Sequence, residues 1–261
     1  MSQFLSKSYA TLVYVFLYFP IAVIVAYSFN NSNFSLVWHG FTLDWYRQLW
    51  QDHTLQIVAL HSLLVGVLAA SFASMLGTLA AISLFRYRFF GKQLLHGLIF
   101  VLIISPDIVM AISLLLLYTL IKLPLGFWSL LLSHITFCTP FVTVIVYGRV
   151  SVLNKSIFEA AKDLGAGDFT TFRRIIIPLL WPAILAGWLL SFTLSIDDVI
   201  ISYFVTGPEF QILPLTIFSL IRVGIKPEIN ALCTVILGIT LLIAIGSQLA
   251  LSLGKNHETD G

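Results

Sequence analysis

Charge is scarce in this chain: only 10% of its 261 residues are Asp, Glu, Lys or Arg, against 59% that are hydrophobic. So little charge cannot clothe the surface of a soluble globule, and composition excludes an ordinary water-borne domain. The mean hydropathy of +0.98 points the same way. Cysteine is scarcer still. Cys138 and Cys233 both fall inside apolar runs, where they act as small apolar side chains, which excludes a disulfide framework. The six histidines, among them His61, His96 and His134, show no HExxH spacing and no neighbouring cysteine pair. No metal or redox site is expected, and helix packing or interfacial anchoring fits each histidine. A phosphate-cradling loop is missing too, because Gly91-Lys92 and Gly254-Lys255 lack the first glycine at the right distance and the Ser or Thr that should follow. The chain is therefore read as no enzyme, with no catalytic residues and no cofactor of its own, and any ATP chemistry falls to another polypeptide. A net charge of +2 gives no reason to expect nucleic acid.

What is present is a series of long uncharged runs. A hydrocarbon core about 30 Å thick takes roughly 20 apolar residues of helix, and six such runs can be marked, at about 9–29, 58–85, 94–121, 125–148, 175–204 and 231–252. The expected fold is an all-α membrane protein in which residues 1–261 form a single six-helix bundle. Lys7 ahead of the first run raises the alternative of a signal peptide. The run from Ser8 to Phe29 is longer than a usual signal core and lacks a small-x-small cleavage site, so it is expected to stay as the first helix. Lys7, Arg86, Arg88, Lys92, Arg149, Lys155, Lys162, Arg173, Arg174 and Lys255 then fall on one side, with Arg47, Lys122, Arg222 and Lys226 on the other. That excess places both termini in the cytoplasm.

Residues 149–174 form the long cytoplasmic connection. Ser156 and Glu159 spell a capping box, Ile157, Ala160, Ala161 and Leu164 share one helical face, and Gly165 suits a left-handed C-terminal stop. Gly167 keeps the bend open, Asp168 fits the cap of a second short helix, and Arg173 and Arg174 mark re-entry into the membrane. Pattern alone fits an amphipathic helix lying on lipid headgroups. The spelling adds more: Glu159-Ala160-Ala161, three residues, Gly165, nine residues, then Ile175-Ile176-Ile177-Pro178. This resembles the EAA-x3-G-x9-I-x-L-P signature of ABC importer permeases, with Ile177 where the pattern prefers Leu. The resemblance implies a coupling helix that docks into a cytoplasmic ATPase, carried by Glu159, Ala160, Ala161, Leu164, Gly165 and Pro178. ATP and magnesium would be bound by that partner, and substrate would arrive on a separate binding protein.

Ionisable residues inside spans are costly and mark paths by default. Asp107 in the third run and Asp197 and Asp198 in the fifth are such residues, with no Lys or Arg in the membrane interior to neutralise them. The missing positive charge fits an organic cation, with aromatic faces beside the acids. Trp188, Tyr203 and Phe204, with Trp128 and Tyr118 near the outer ends, are the candidate rings; the substrate-path set is Asp107, Asp197, Asp198, Trp188 and Tyr203. The competing explanations are hydrogen bonds from the acids to helix backbone, a salt bridge to a partner permease, and interfacial placement of the rings. Proline at 106, 140, 178 and 182 predicts kinks, static or hinging. Gly66, Ala69, Ala70, Ala73, Ser74 and Gly77 permit close helix contact, within the bundle or with a second permease.

Several segments resemble the C-subunit permease of bacterial spermidine/putrescine importers: Trp38-His39-Gly40-Phe41-Thr42, Arg86-Tyr87-Arg88-Phe89, residues 105–113, Gly126-Phe127-Trp128-Ser129-Leu130, residues 134–138 and residues 191–198. This likeness implies a bacterial inner-membrane complex of two different permeases, two ATPase copies and an extracytoplasmic polyamine-binding protein. An anion or metal ion as cargo, a proton-driven secondary transporter and an intramembrane enzyme are the alternatives. Three acids without a buried base argue against an anion. Adjacent Asp197 and Asp198, about 100° apart on a helix, make a poor catalytic dyad.

Overall fold

The structure is a computed structural model that describes residues 2–32, 37–154, 156–223, 228–238 and 241. The apolar runs fold into long helices joined by shorter ones: α1 (Ser2–Tyr27), α2 (Asp44–Gln51), α3 (His53–Arg86), α4 (Lys92–Ile104), α5 (Asp107–Leu120), α6 (Phe127–Ser151), α7 (Ser156–Asp163), α8 (Asp168–Thr171), α9 (Ile177–Asp197), α10 (Ile200–Val205) and α11 (Leu213–Val223). A further apolar helix, α12, spans Glu228–Gly238. Among the described residues the β structure is one isolated bridge, Asn30 to Phe41. The chain divides into two compact units, residues 57–216 and residues 1–56 with 217–261.

In the terminal unit, α1 is followed by a loop organised around the buried side chain of Asn30. Its Oδ1 accepts the His39 N–H at 2.8 Å, its Nδ2 donates to the Val37 carbonyl at 2.9 Å, and its own carbonyl accepts the Trp45 indole N–H at 2.9 Å. Thr42 Oγ1 accepts the Asp44 N–H at 3.1 Å and so starts α2. The last expected span, 231–252, is represented by α12 as far as Gly238 and by residue 241; its other residues lie outside the described residues.

The central unit is built where helices come closest. In lipid, burial of apolar surface gives helices little reason to associate, and close packing takes over that role. The small residues of α3, Gly66, Ala69, Ala70, Ala73, Ser74 and Gly77, are all buried. A Cβ added at Gly77 would lie 2.7 Å from the Val142 Cβ on α6, and one added at Gly187 on α9 would lie 3.1 Å from the Val142 Cγ1. Three helices therefore meet on one fully buried valine. The stripe serves internal packing at Gly77, while Gly66 faces Ile196 and Phe192 of α9.

Among the described residues, four helices are long and apolar enough to cross a membrane, and a fifth crossing is counted if α4 and α5 are one broken span. The run 94–121 is thus no single straight helix: its halves bend by 116° at Ser105-Pro106. Both break residues are extended, with ψ of 133° and 137°. The Pro106 ring disfavours helical backbone at Ser105, and its missing N–H removes a ladder bond. The run 175–204 is interrupted too. A π-helical turn, Phe172–Ile176, leads into α9. Asp198 then leaves the helix at φ −69° and ψ 123°, and α10 follows. Pro140 and Pro182, by contrast, sit inside continuous helices.

Candidate functional site

Two places gather the expected residues: the loop around α7 and the interrupted end of α9. At the first, α7 begins at the expected cap itself, one residue earlier than a helix capped by Ser156 would. Ser156 is itself helical, and its N–H is taken by Asn154 Oδ1 at 3.0 Å, while the Asn154 carbonyl accepts Ile157 N–H at 3.1 Å. The Asn154 side chain thus takes the N–H that the expected capping box leaves to Glu159. The other end follows expectation: Gly165 has φ +78°, its N–H bonds the Lys162 carbonyl at 2.8 Å, and Ala166 N–H bonds the Ala161 carbonyl at 2.9 Å. This paired closure is a Schellman stop, which needs the left-handed residue that glycine supplies at least cost.

Ala161 packs inward, whereas Glu159, Ala160 and Gly165 are exposed and Leu164 is 88% exposed. An uncovered leucine beside a small alanine is an apolar, low-relief surface with an acid at one edge. Gly167, not Asp168, caps α8; Asp168 is its first residue and reaches Arg86 at the end of α3, Oδ1 to Nη2 2.6 Å. Pro178 is exposed in the first turn of α9, directly after the π turn.

At the second place the acids part company. Asp107 is the exposed first residue of α5, and Asp197 the exposed last residue of α9. Asp198 is buried. Its Oδ1 accepts the Ile201 N–H at 3.2 Å, and its Oδ2 accepts the Ser202 N–H at 2.7 Å and the Ser202 hydroxyl at 2.8 Å. It caps α10, which in turn packs on α5 and α6.

His134 on α6 joins this cluster although its sequence setting gives no more than a packing histidine. Its ring is fully buried, with Nδ1 2.6 Å from Ser195 Oγ, and Nε2 3.0 Å from Ser202 Oγ and 3.5 Å from Asp198 Oδ2. The only sequence trace of this meeting is a serine on either side of the double aspartate in an otherwise apolar run.

The rings are dispersed. Trp188 stacks on Phe192 with centroids 5.3 Å apart and donates its indole N–H to Ser71 Oγ at 3.1 Å. It lines an apolar groove of about 620 Å³ between α3 and α9, together with Trp181, Met75, Ser74 and Thr78. Tyr203 on α10 is exposed and meets Phe204 edge-on at 5.6 Å. Tyr118 is buried, its hydroxyl 2.9 Å from Ser133 Oγ, while Trp128 is exposed. The structure therefore brings Asp197, Asp198 and Tyr203 to one joint and sets Trp188 on the groove.

Residues 73–255 match the family described as binding-protein-dependent transport system inner membrane component. The chain is 52% identical over 247 residues to the spermidine/putrescine transport system permease protein PotC of Escherichia coli K12, covering 95% of this chain and 94% of that protein. It is 48% identical over 254 residues to the PotC of Haemophilus influenzae, covering 97% and 98%. Against the putrescine transport system permease protein PotI of Escherichia coli K12 it is 42% identical over 233 residues, covering 86% and 83%. Among solved structures, a chain of a bacterial ABC transporter that imports the acidic polysaccharide alginate superposes with a TM-score of 0.72 at 14% identity, covering 94% of this chain and 95% of that one. A chain of the inward-facing MetNI methionine ABC transporter gives 0.63 at 13% identity, covering 78% and 96%. At such identities these two structures bear on the fold.

Proposed function

The chain belongs to the family of binding-protein-dependent transport system inner membrane components, and from that premise we propose that it is the permease of an ATP-driven ABC importer for polyamines. Its partners are a second, homologous permease, a cytoplasmic ATPase dimer and an extracytoplasmic polyamine-binding protein, and the whole chain acts as one permease domain with both termini in the cytoplasm. The chain performs no catalysis. ATP and magnesium belong to the ATPase, which receives the loop 156–166 through Glu159, Ala160, Ala161, Leu164 and Gly165. Closure of the ATPase moves that loop, and the π turn ahead of Pro178 passes the movement into α9, so the path opens first outward and then inward.

The observation that carries the cargo reading is where Asp197 sits. A helix C-terminus leaves carbonyl oxygens without intrahelical partners and concentrates partial negative charge. Asp197 is the last residue of α9 and exposed, so carboxylate and helix end add in sign at one point. Interrupted transporter helices of this kind build ion and substrate sites where the unwound backbone lines a cavity. Asp107 is placed differently, since at the start of α5 the helix end partly offsets its charge. An elongated polycation draws on both acids, with Tyr203 and Trp188 offering ring faces along the way.

The test is ATP-dependent uptake of labelled spermidine by cells lacking this gene and complemented with wild type or Asp197→Asn, with putrescine and sulfate as competitors. Uptake restored by wild type, competed by putrescine and lost in the variant supports the reading. Competition by sulfate, or full uptake by Asp197→Asn, overturns it.

A further inference from the structure

His134 and its partners form a chain of hydrogen bonds whose protons can be counted. Ser202 donates its one hydroxyl proton to Asp198 Oδ2 at 2.8 Å. The 3.0 Å contact between Ser202 Oγ and His134 Nε2 therefore needs its proton from the ring, Nε2–H donating to Oγ. A neutral imidazole protonated there has a bare Nδ1, which accepts the Ser195 hydroxyl at 2.6 Å. The order is Ser195 to His134 to Ser202 to Asp198, each proton used once and the sequence ending on a carboxylate. It links α6, α9 and α10, and every member is buried. Buried away from water, these groups have no substitute partners, so a half-made chain leaves costly orphan groups.

Its position gives it a consequence. Without a cap at Asp198 nothing in the composition of 175–204 stops α9 from running on, and the break between α9 and α10 contains no proline. We infer that His134 is a positioning residue of the cargo path: through Ser195 and Ser202 it holds the α9–α10 break, commits Asp198 to capping α10 and leaves Asp197 as the acid of the pair presented to cargo. It touches no cargo itself. The cargo named here rests on the polyamine reading; the geometry does not.

The experiment uses the complete importer with His134→Gln, His134→Asn and His134→Leu. Glutamine reaches Ser202 with an N–H donor at the place of Nε2, asparagine stops at the place of Nδ1, and leucine makes neither bond. Spermidine uptake per importer in the membrane is expected to stay near wild type for His134→Gln and to fall about tenfold or more for His134→Asn and His134→Leu, the loss of one charge-linked hydrogen bond being a factor of that order. A packing role would instead rank the variants by volume and leave His134→Gln no better than His134→Leu, which would overturn the proposal.

A second readout does not depend on cargo. In an Asp197→Cys background, modification by a water-borne cationic thiol reagent is expected to be fast. It should slow about tenfold when His134→Leu is added and hold its rate with His134→Gln. Equal rates in all three backgrounds overturn the proposal even if the wild-type importer carries something other than spermidine. Normal labelling changes with no spermidine uptake by wild type would instead reject the polyamine reading and keep the role of His134.

Discussion

The two interrupted helices are broken by different means. Between α4 and α5 the break falls on a proline, since Pro106 lacks a ladder N–H and disfavours helical backbone at Ser105, where the chain turns by 116°. Between α9 and α10 there is no proline; the Asp198 carboxylate accepts from Ile201 and Ser202 of α10, and Ser202 is held in turn by His134 of α6. A proline break is local and leaves its neighbouring acid, Asp107, exposed. A side-chain break is shared, and it consumes an acid to exist. The same residue type therefore has opposite accounts at the two joints: one carboxylate is left exposed and the other is part of the frame.

The largest test of that contrast is Asp198→Ala. It strips two backbone N–H groups and one hydroxyl of their buried acceptor, a loss of about 3 kcal/mol, and the melting temperature of the purified complex should fall accordingly. An unchanged melting temperature would mean the break is held by something else. Pro106→Ala comes next. It should change stability by only about 1 kcal/mol or less but let the bend open in a fraction of molecules, seen as a longer distance between spin labels at Leu98 and Leu116. Asp107→Asn sharpens the comparison from the other side: melting should stay where it is while spermidine uptake falls several-fold. A drop in melting as large as that of Asp198→Ala would erase the distinction between the two acids. The smallest effect belongs to the ion pair between Arg86 and Asp168, whose carboxylate is well exposed. Such a pair contributes at most about 1 kcal/mol, so Arg86→Asp and Asp168→Arg should each reduce ATP-coupled uptake modestly, and the double exchange should restore it.

The loop around α7 was legible where its determinants are local. Gly165 sits where a left-handed stop is needed, while the expected capping box gives way to Asn154, whose side chain takes the Ser156 N–H. The interrupted spans were less legible, because counting apolar residues registers hydrocarbon thickness and is blind to where the backbone goes. Pro106 announces a disturbance, yet a kink inside a helix, as at Pro140, and a turn of 116° are spelled alike. Asp198 announces less: its direct partners Ile201 and Ser202 are local, but Ser202 is itself held by His134 on a helix far away in sequence. His134 meets Ser195 and Ser202 across separations of 61 and 68 residues, and no periodicity in a single helix encodes such a meeting. The family and the membrane fold needed only the motif, the length and the hydropathy.

Val142 carries a consequence for how such a chain can change over time. Gly77 and Gly187 both abut this one side chain from different helices, so the three positions behave as a single lock with one volume to share. A larger residue at Gly187 needs a smaller one at 142, whereas a side chain at Gly77 would meet the Cβ that even alanine keeps at 142 and the Thr139 carbonyl beside it. Drift at this spot must therefore be correlated between 142 and 187, and in related permeases the column of Gly77 should stay still.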